Sequence, residues 1–361
     1  MSSPLRPDGV HKGRGATASP TGRFETCQTL PVDDGWANWE VPAPAPRTQL
    51  HVDHARRVIS YNRSPDIPFD RSLNPYRGCE HGCSYCFARP SHAYLGLSPG
   101  LDFETQIYHK PDAAARLTRE LAAPGYRPAP LALGVNTDAY QPVERQLRLT
   151  RAVLEVLWAH RHPVTLVTKS GLIERDLDLL APMAAAGLVS VAVSLTTRDD
   201  ALGRLLEPRA AGVRRRLRVI ERLAAAGVPI AVSLAPVIPG LTDHELEAIL
   251  TVARERGARS AGFTLLRLPH EVAPLFTRWL EDHYPARREK VLARLREMHD
   301  GKLYDARFGH RRRGSGAYAT LIAERFRLAS RRLGYLPPAP LDCTQFRRPV
   351  EVGPRQGELF G

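Results

Sequence analysis

Short runs of β-branched and aliphatic residues alternate along the chain with longer runs whose apolar positions recur every three or four residues. The first kind predicts strands at Leu131 to Val135, Val164 to Thr168, Val189 to Leu195, Pro229 to Ala235 and Ser260 to Leu265, with an earlier strand expected near Ser72 to Tyr76. Between them, Leu149, Val153, Val156 and Leu157 fall at helical spacing, as do Leu246, Ile249, Leu250 and Ala253. Thr242-x-x-Glu245 predicts a capping box at the start of the second helix, in which hydroxyl and carboxylate each satisfy an exposed backbone N–H, and Gly257 suits the left-handed turn past its end. Ala224-Ala225-Ala226-Gly227 closes another helix in the same way. Six strands joined by five helical crossovers predict an α/β fold, a partial (β/α)6 barrel whose chemistry sits at the C-terminal ends of the strands.

The flanks break this pattern. Residues 1–55 are rich in Pro, Gly, Arg and Ser and predict an irregular segment, which Trp36 and Trp39 are expected to fold back onto the barrel. The barrel is expected over 56–268, a helical and charged C-terminal extension over 269–340, and a tail over 341–361. The apolar runs are far shorter than the roughly 18 residues of a membrane span. The N-terminus also lacks the apolar stretch of a secretory signal, so a cytoplasmic location is expected.

Charge adds a partner class. The formal net charge is +13, and arginine outnumbers lysine 46 to 5. The excess gathers in Arg214-Arg215-Arg216-Leu217-Arg218, Arg287-Arg288, Arg311-Arg312-Arg313, Arg331-Arg332 and Arg347-Arg348. A nucleic acid would neutralise such runs, although solvated helix faces and genomic base bias produce them too.

The chain has five cysteines, and three of them form Cys79-x3-Cys83-x2-Cys86 on a glycine-containing loop after the first expected strand. A disulfide framework would spread an even number over a small domain, so the clustering points to metal. Iron–sulfur clusters are usually held by four thiolates, and three leave one iron open to another ligand. The rival is a structural zinc site completed by Cys27, Cys343 or His81, but zinc sites usually show a second Cys-x2-4-Cys knuckle, and the chain has none.

Cys79-x3-Cys83-x-Tyr85-Cys86 resembles the defining motif of the radical S-adenosylmethionine (SAM) superfamily. The run from Asn74 to His92, together with Thr137-Asp138-Ala139-Tyr140-Gln141-Pro142, Thr168-Lys169-Ser170 and Ala235-Pro236-Val237-Ile238-Pro239-Gly240, looks like its spore photoproduct lyase-like branch, over about residues 56 to 335. The resemblance implies a radical SAM barrel with a [4Fe-4S] cluster on Cys79, Cys83 and Cys86. It also implies reductive cleavage of SAM to methionine and a 5′-deoxyadenosyl radical, with an electron donor such as flavodoxin or ferredoxin. SAM would be held at strand ends by Thr137, Lys169 and Ser194. Lys169 has a solvated strand end as its alternative, Asp138 either contacts SAM or caps the next helix, and Glu207-Pro208-Arg209 either binds SAM or substrate or forms a surface ion pair. Tyr85 is the expected catalytic residue near the radical.

Two departures bear on the reaction. The cysteine that returns a hydrogen atom in the lyase reads as Val135, and the tyrosine after the last cluster cysteine reads as Phe87. Cys27 and Cys343 could donate hydrogen only if the tails fold over the barrel; lone cysteines are more often inert. The terminal Gln356-Gly357-Glu358-Leu359-Phe360-Gly361 resembles peptides that dock on the bacterial DNA sliding clamp, with Gln356, Leu359 and Phe360 as anchors, or is a plain tail. The expected function is radical SAM chemistry on nucleic acid, with lyase-like DNA lesion repair in view. The alternatives are radical modification of a peptide, protein or metabolite, and a non-catalytic zinc- or cluster-containing nucleic-acid-binding protein.

Overall fold

A computed structural model describes residues 11–25 and 47–350. Its strands are β1 (Gln49–Val52), β2 (Ser60–Tyr61), β3 (Arg71–Leu73), β4 (Tyr76–Arg77), β5 (Gln106–His109), β6 (Leu131–Leu133), β7 (Val164–Thr168), β8 (Val189–Ser194), β9 (Ile230–Val237) and β10 (Ser260–Leu265). The main sheet has the order β10-β9-β8-β7-β6-β3-β2. Its six strands from β3 to β10 run parallel, and only β2 is antiparallel to its neighbour. This is the partial barrel that the sequence predicts, with β7 and β10 at the expected bounds. β3 ends before Asn74-Pro75: the Asn74 side chain accepts the Asn136 N–H at 3.1 Å, and Pro75 has no N–H for the ladder. Leu73, Leu133, Leu166, Val191, Val232 and Leu234 are buried along the sheet and belong to one apolar core.

The crossovers carry α1 (Asp102–Thr105), α2 (Ala113–Ala122), α3 (Glu144–Leu147), α4 (Leu149–Ala159), α5 (Leu177–Ala185), α6 (Asp200–Leu206), α7 (Val213–Ala225) and α8 (Leu246–Glu255). Val153, Leu154 and Leu157 of α4 and Leu246, Ile249, Leu250 and Ala253 of α8 are the buried faces. Gly227 and Gly257 take positive φ past α7 and α8, as their positions predict. The capping box does not form. A 3-10 turn over Asp243–Glu245 precedes α8, the Thr242 hydroxyl accepts the Ile238 N–H at 2.9 Å, and Glu245 accepts from Thr197 Oγ1 at 2.6 Å and the Arg198 N–H. A neighbouring loop outcompetes the local cap.

Three further helices, α9 (Val272–His283), α10 (Pro285–Met298) and α11 (Gly316–Arg332), cover one side. α9 docks through Trp279, which is buried, stacks on Phe276 and donates its indole N–H to Leu205 O at 3.2 Å. The loop before α11 joins the two edges of the open sheet: Leu265 N–H donates to Arg312 O at 2.9 Å, while Arg311 grips Asp66, in the β2–β3 turn, at 2.7 and 2.6 Å. Residues 341–350 run under the strand starts, where Asp342 N–H donates to Gly187 O and Arg347 N–H to His160 O. Among the described residues, no helix is long and apolar enough to cross a membrane. Trp36, Trp39, Cys27 and the Gln356–Phe360 anchors lie outside the described residues.

Two features beside the barrel are absent from the sequence reading. β1, β5 and β4 form a second small sheet against the cysteine loop, so part of the segment expected to be irregular is a strand. Residues 11–25 form only turns, yet Gly15 N–H and Ala16 N–H donate to the Glu104 carboxylate at 3.0 and 2.8 Å, and Arg14 donates to Glu104 O. The segment is thereby strapped to the cysteine loop.

Candidate active site

The cysteine loop leaves β4 at Gly78 and is fixed mainly through its backbone. Cys79 N–H donates to Phe103 O at 2.9 Å, and Ser84 N–H to Leu206 O at 3.0 Å. The Gln141 amide grips it twice, donating to Gly78 O and accepting the Glu80 N–H at 2.9 Å. Gly82 sits at φ 65°, and any side chain there would run into Glu104. Glu104 is itself fully buried and paired with Arg89, whose guanidinium also donates to Cys83 O at 3.0 Å. Gly15 of the strap lies directly on the Gly82 carbonyl. Loop, strap and Glu104 form one hydrogen-bonded unit.

Cys79 and Cys83 are buried and Cys86 is half-buried. Burial raises all three thiol pKa values, Cys83 to about 12, and each of Cys79 and Cys83 also feels the charge of another cysteine of the triplet. Among the described residues, no three His, Cys, Asp or Glu side chains converge on a single-ion site. Three clustered thiols on one loop are the donor set of an iron–sulfur cluster, whose ligands are cysteine thiolates spread over several metals. Of the fourth zinc ligands considered from sequence, His81 and Cys343 are engaged elsewhere, and Cys27 lies outside the described residues. His81 faces Asp138 at 3.3 Å, and Cys343 lies at the opposite end of the barrel with the residue 341–350 segment. Cys343 is therefore also out of place as a hydrogen donor.

Beside Cys83 is a buried polar hub centred on Glu207. Its carboxylate pairs with Arg216 and accepts from the Tyr85 hydroxyl and from Thr196 Oγ1, the last at 2.6 Å, while Lys169 Nζ stands 4.0 Å away. Burial alone would raise the Glu207 pKa, but Arg216 and Lys169 overcome it and hold the value at about 2. Lys169 is raised by Glu207 and Cys83 against its own burial, and its ammonium lies 5.8 Å from the Tyr85 ring centroid. Its protons make no hydrogen bond to any described residue.

The other predicted site residues have groups already engaged, with Thr137, Asp138 and Ser194 at strand ends and Glu207 and Arg209 just after α6. Thr137 donates its hydroxyl to Tyr76 O at 2.9 Å, and Ser194 donates to Ala235 O at 3.2 Å. Asp138 accepts from Thr168 Oγ1, Lys169 N–H and Tyr140 N–H at 2.7 to 2.9 Å and faces His81, so it ties two strand ends together. Glu207 and Arg209 do not pair with each other. Arg209 instead clamps Glu80 of the cysteine loop at 3.0 Å. Sequence reasoning missed Arg216, Thr196, Arg89, Glu104 and Gln141, and considered His81 only as a zinc ligand. One signal existed: Arg216 falls on the buried stripe Val213, Val219, Ile220 and Leu223 of α7, where a charged side chain implies a buried partner.

A partial parallel barrel with three clustered thiols at the C-terminal ends of its strands defines a class of iron–sulfur enzyme, and the sequence places the chain within it. Residues 73–253 match the model of the radical SAM superfamily, and the chain belongs to that superfamily. It is 39% identical over 235 residues to an uncharacterized protein of Mycobacterium tuberculosis, covering 64% of this chain and 68% of that one. It is 25% identical over 191 residues to an uncharacterized protein of Methanocaldococcus jannaschii, covering 53% and 68%. Among solved structures, spore photoproduct lyase complexed with dinucleoside spore photoproduct superposes with a TM-score of 0.56 at 16% identity, over 79% of this chain and 80% of that one. The cofactors of the family are a [4Fe-4S] cluster and SAM, and the family needs a reductant. Cys79, Cys83 and Cys86 would hold the cluster, which when reduced supplies the electron that cleaves SAM.

Proposed function

We propose that this radical SAM enzyme acts on nucleic acid, in a lyase-like repair of a DNA lesion. The observation that carries the reading is the position of the Arg311-Arg312-Arg313 run, which the Leu265–Arg312 hydrogen bond sets at the C-terminal end of β10, on the side of the cysteine loop. A formal net charge of +13 and a fold shared with a lyase seen with a dinucleoside lesion support it. Val135 and Phe87 stand where that lyase's hydrogen relay would need cysteine and tyrosine, so the same relay is not proposed. Tyr85, with its hydroxyl held by Glu207, is the residue nearest the radical chemistry.

In this reading Lys169 binds the SAM carboxylate, because it alone among the predicted strand-end residues carries uncommitted donor protons. Thr137 and Ser194 accept hydrogen bonds from SAM through hydroxyl oxygens whose protons are already directed. Asp138, Glu207 and Arg209 hold the SAM pocket from behind. Lys169→Met is expected to weaken SAM binding about tenfold or more, the worth of a hydrogen bond to a charged group. Equilibrium binding of SAM to cluster-loaded protein checks this, and an unchanged affinity removes Lys169 from the pocket. A ferredoxin or flavodoxin is the proposed electron donor, the sliding clamp the proposed partner of Gln356, Leu359 and Phe360, and the cytoplasm the proposed location.

Radical modification of a peptide, protein or metabolite is the second reading. It is favoured by the arginines that lie away from the barrel mouth, such as Arg348, which donates to Tyr126 O under the strand starts. The test is SAM cleavage by the reduced enzyme in the presence of ultraviolet-damaged DNA, undamaged DNA or a peptide library. Loss of lesions coupled to 5′-deoxyadenosine release is expected, whereas stimulation by peptide alone would overturn the nucleic-acid reading.

A further inference from the structure

The mouth of the barrel holds two guanidinium groups that form no ion pair with a described carboxylate. Arg267 follows β10, and its guanidinium lies 4.7 Å from the ring centroid of Phe87, the residue after Cys86. Its Nε–H is buried without a hydrogen-bond partner. Arg312 reaches the same place from the loop that bridges the sheet edges, held by Asp66 O at 2.7 Å and Thr264 Oγ1 at 3.3 Å, both neutral acceptors. The nearby carboxylates are occupied, Asp66 by both arms of Arg311 and Asp305 by Arg307. The two cations are close enough that, after burial itself, Arg267 is the largest influence lowering the Arg312 pKa.

The Leu265–Arg312 backbone bond brings the Arg312 loop to within two residues of Arg267, and like charges gathered at one partly buried place, which Asp66 offsets while shared with Arg311, gain free energy when an anion joins them. The arms come from two different elements, so one anion with two free oxygens can face both, and in a nucleic acid that anion is the backbone phosphodiester with its two non-bridging oxygens. The Phe87 contact fixes the site relative to the cysteine loop. We propose that Arg267 and Arg312 form a phosphate site that takes a backbone phosphodiester of the substrate and sets its register relative to the cluster. This rests on the nucleic-acid reading above and assigns it a grip.

The test is binding of a short labelled single-stranded oligonucleotide, and of the same oligonucleotide with uncharged methylphosphonate linkages, to cluster-loaded protein over a range of salt. Arg267→Gln and Arg267→Gln/Arg312→Gln are compared with wild type and with Arg331→Gln/Arg332→Gln, which removes the same charge at the end of α11. Arg267 makes no hydrogen bond to a described residue, so its single substitution keeps the test valid even if removing Arg312 disturbs the loop. The double variant is expected to bind the charged strand at least about tenfold more weakly. The salt slope should fall by roughly 0.7 per arginine removed. The methylphosphonate strand should bind weakly and alike to all variants. An equal loss in the Arg331/Arg332 control, or unchanged binding in both Arg267 variants, overturns the site while the nucleic-acid reading stands. Loss of SAM affinity in place of oligonucleotide affinity overturns it too, by assigning the arginines to the SAM carboxylate. A wild type that binds no oligonucleotide at all overturns the nucleic-acid reading itself, and this proposal with it.

Discussion

Glu207→Gln is expected to destabilise the protein by about 3–5 kcal/mol, the usual result of removing one partner from a buried ion pair. The carboxylate and the Arg216 side chain are both almost completely buried, and Arg216 also donates to Ser194 O at 2.9 Å and Ala211 O at 2.6 Å. The guanidinium cannot swing to water without abandoning those carbonyls. Glutamine keeps the shape and leaves the cation unpaired. Arg216→Met added to Glu207→Gln should recover much of the loss, because the uncompensated charge is the main cost. Urea unfolding of the cluster-free proteins measures both, and a single variant as stable as wild type would show that the hub is not a structural pair. The pH dependence has a definite sign. The folded carboxyl titrates at about 2 and the unfolded one near 4.5, so the stabilisation is complete above pH 4.5 and lost as pH falls toward 2. Stability of Glu207→Gln should fall less steeply than wild type through that window.

Gly15→Ala is the second large effect. A Cβ at this position would overlap the Gly82 carbonyl and crowd Ser84 N, both backbone atoms of the cysteine loop that cannot rotate aside. The strap must lift, taking the Gly15 and Ala16 N–H groups away from Glu104 and leaving the buried carboxylate to Arg89. Two hydrogen bonds to a charged group are worth on the order of 3 kcal/mol together. Lifting the strap also exposes the loop between Cys79 and Cys83. Faster bleaching of the cluster absorbance in air, together with protease cleavage near residue 15, is the expected outcome. Bleaching and cleavage at the wild-type rate would show that the strap does not shield the loop.

The barrel was legible in the sequence because its strands are short β-branched and aliphatic runs that alternate fully buried with half-buried positions, as in Val164–Thr168. The cysteine loop was legible because its chemistry needs three thiols at short spacing. The strap was not, since residues 11–25 act through backbone N–H groups that carry no side-chain signature, and their acceptor Glu104 is 88 and 89 residues away. The small sheet escaped for a related reason. Strands of two to four residues, such as Tyr76–Arg77 and Gln49–Val52, are too short to show a period. Glu207 and Arg209 read as a local pair because they are neighbours in sequence, but their partners are Arg216 on α7 and Glu80 on the cysteine loop, which only the fold brings near. The Thr242–Glu245 capping signature was outcompeted by the loop after β8 for the same kind of reason.

The central claim, that the cysteine triplet carries radical SAM chemistry in this chain, is tested most directly by one assay. The protein is reconstituted anaerobically with iron and sulfide, reduced with dithionite in the presence of SAM, and assayed for 5′-deoxyadenosine beside Cys83→Ala treated identically. Formation of 5′-deoxyadenosine by the wild type alone is the predicted result. A fully loaded wild-type cluster that releases none, or equal release from Cys83→Ala, would contradict the account.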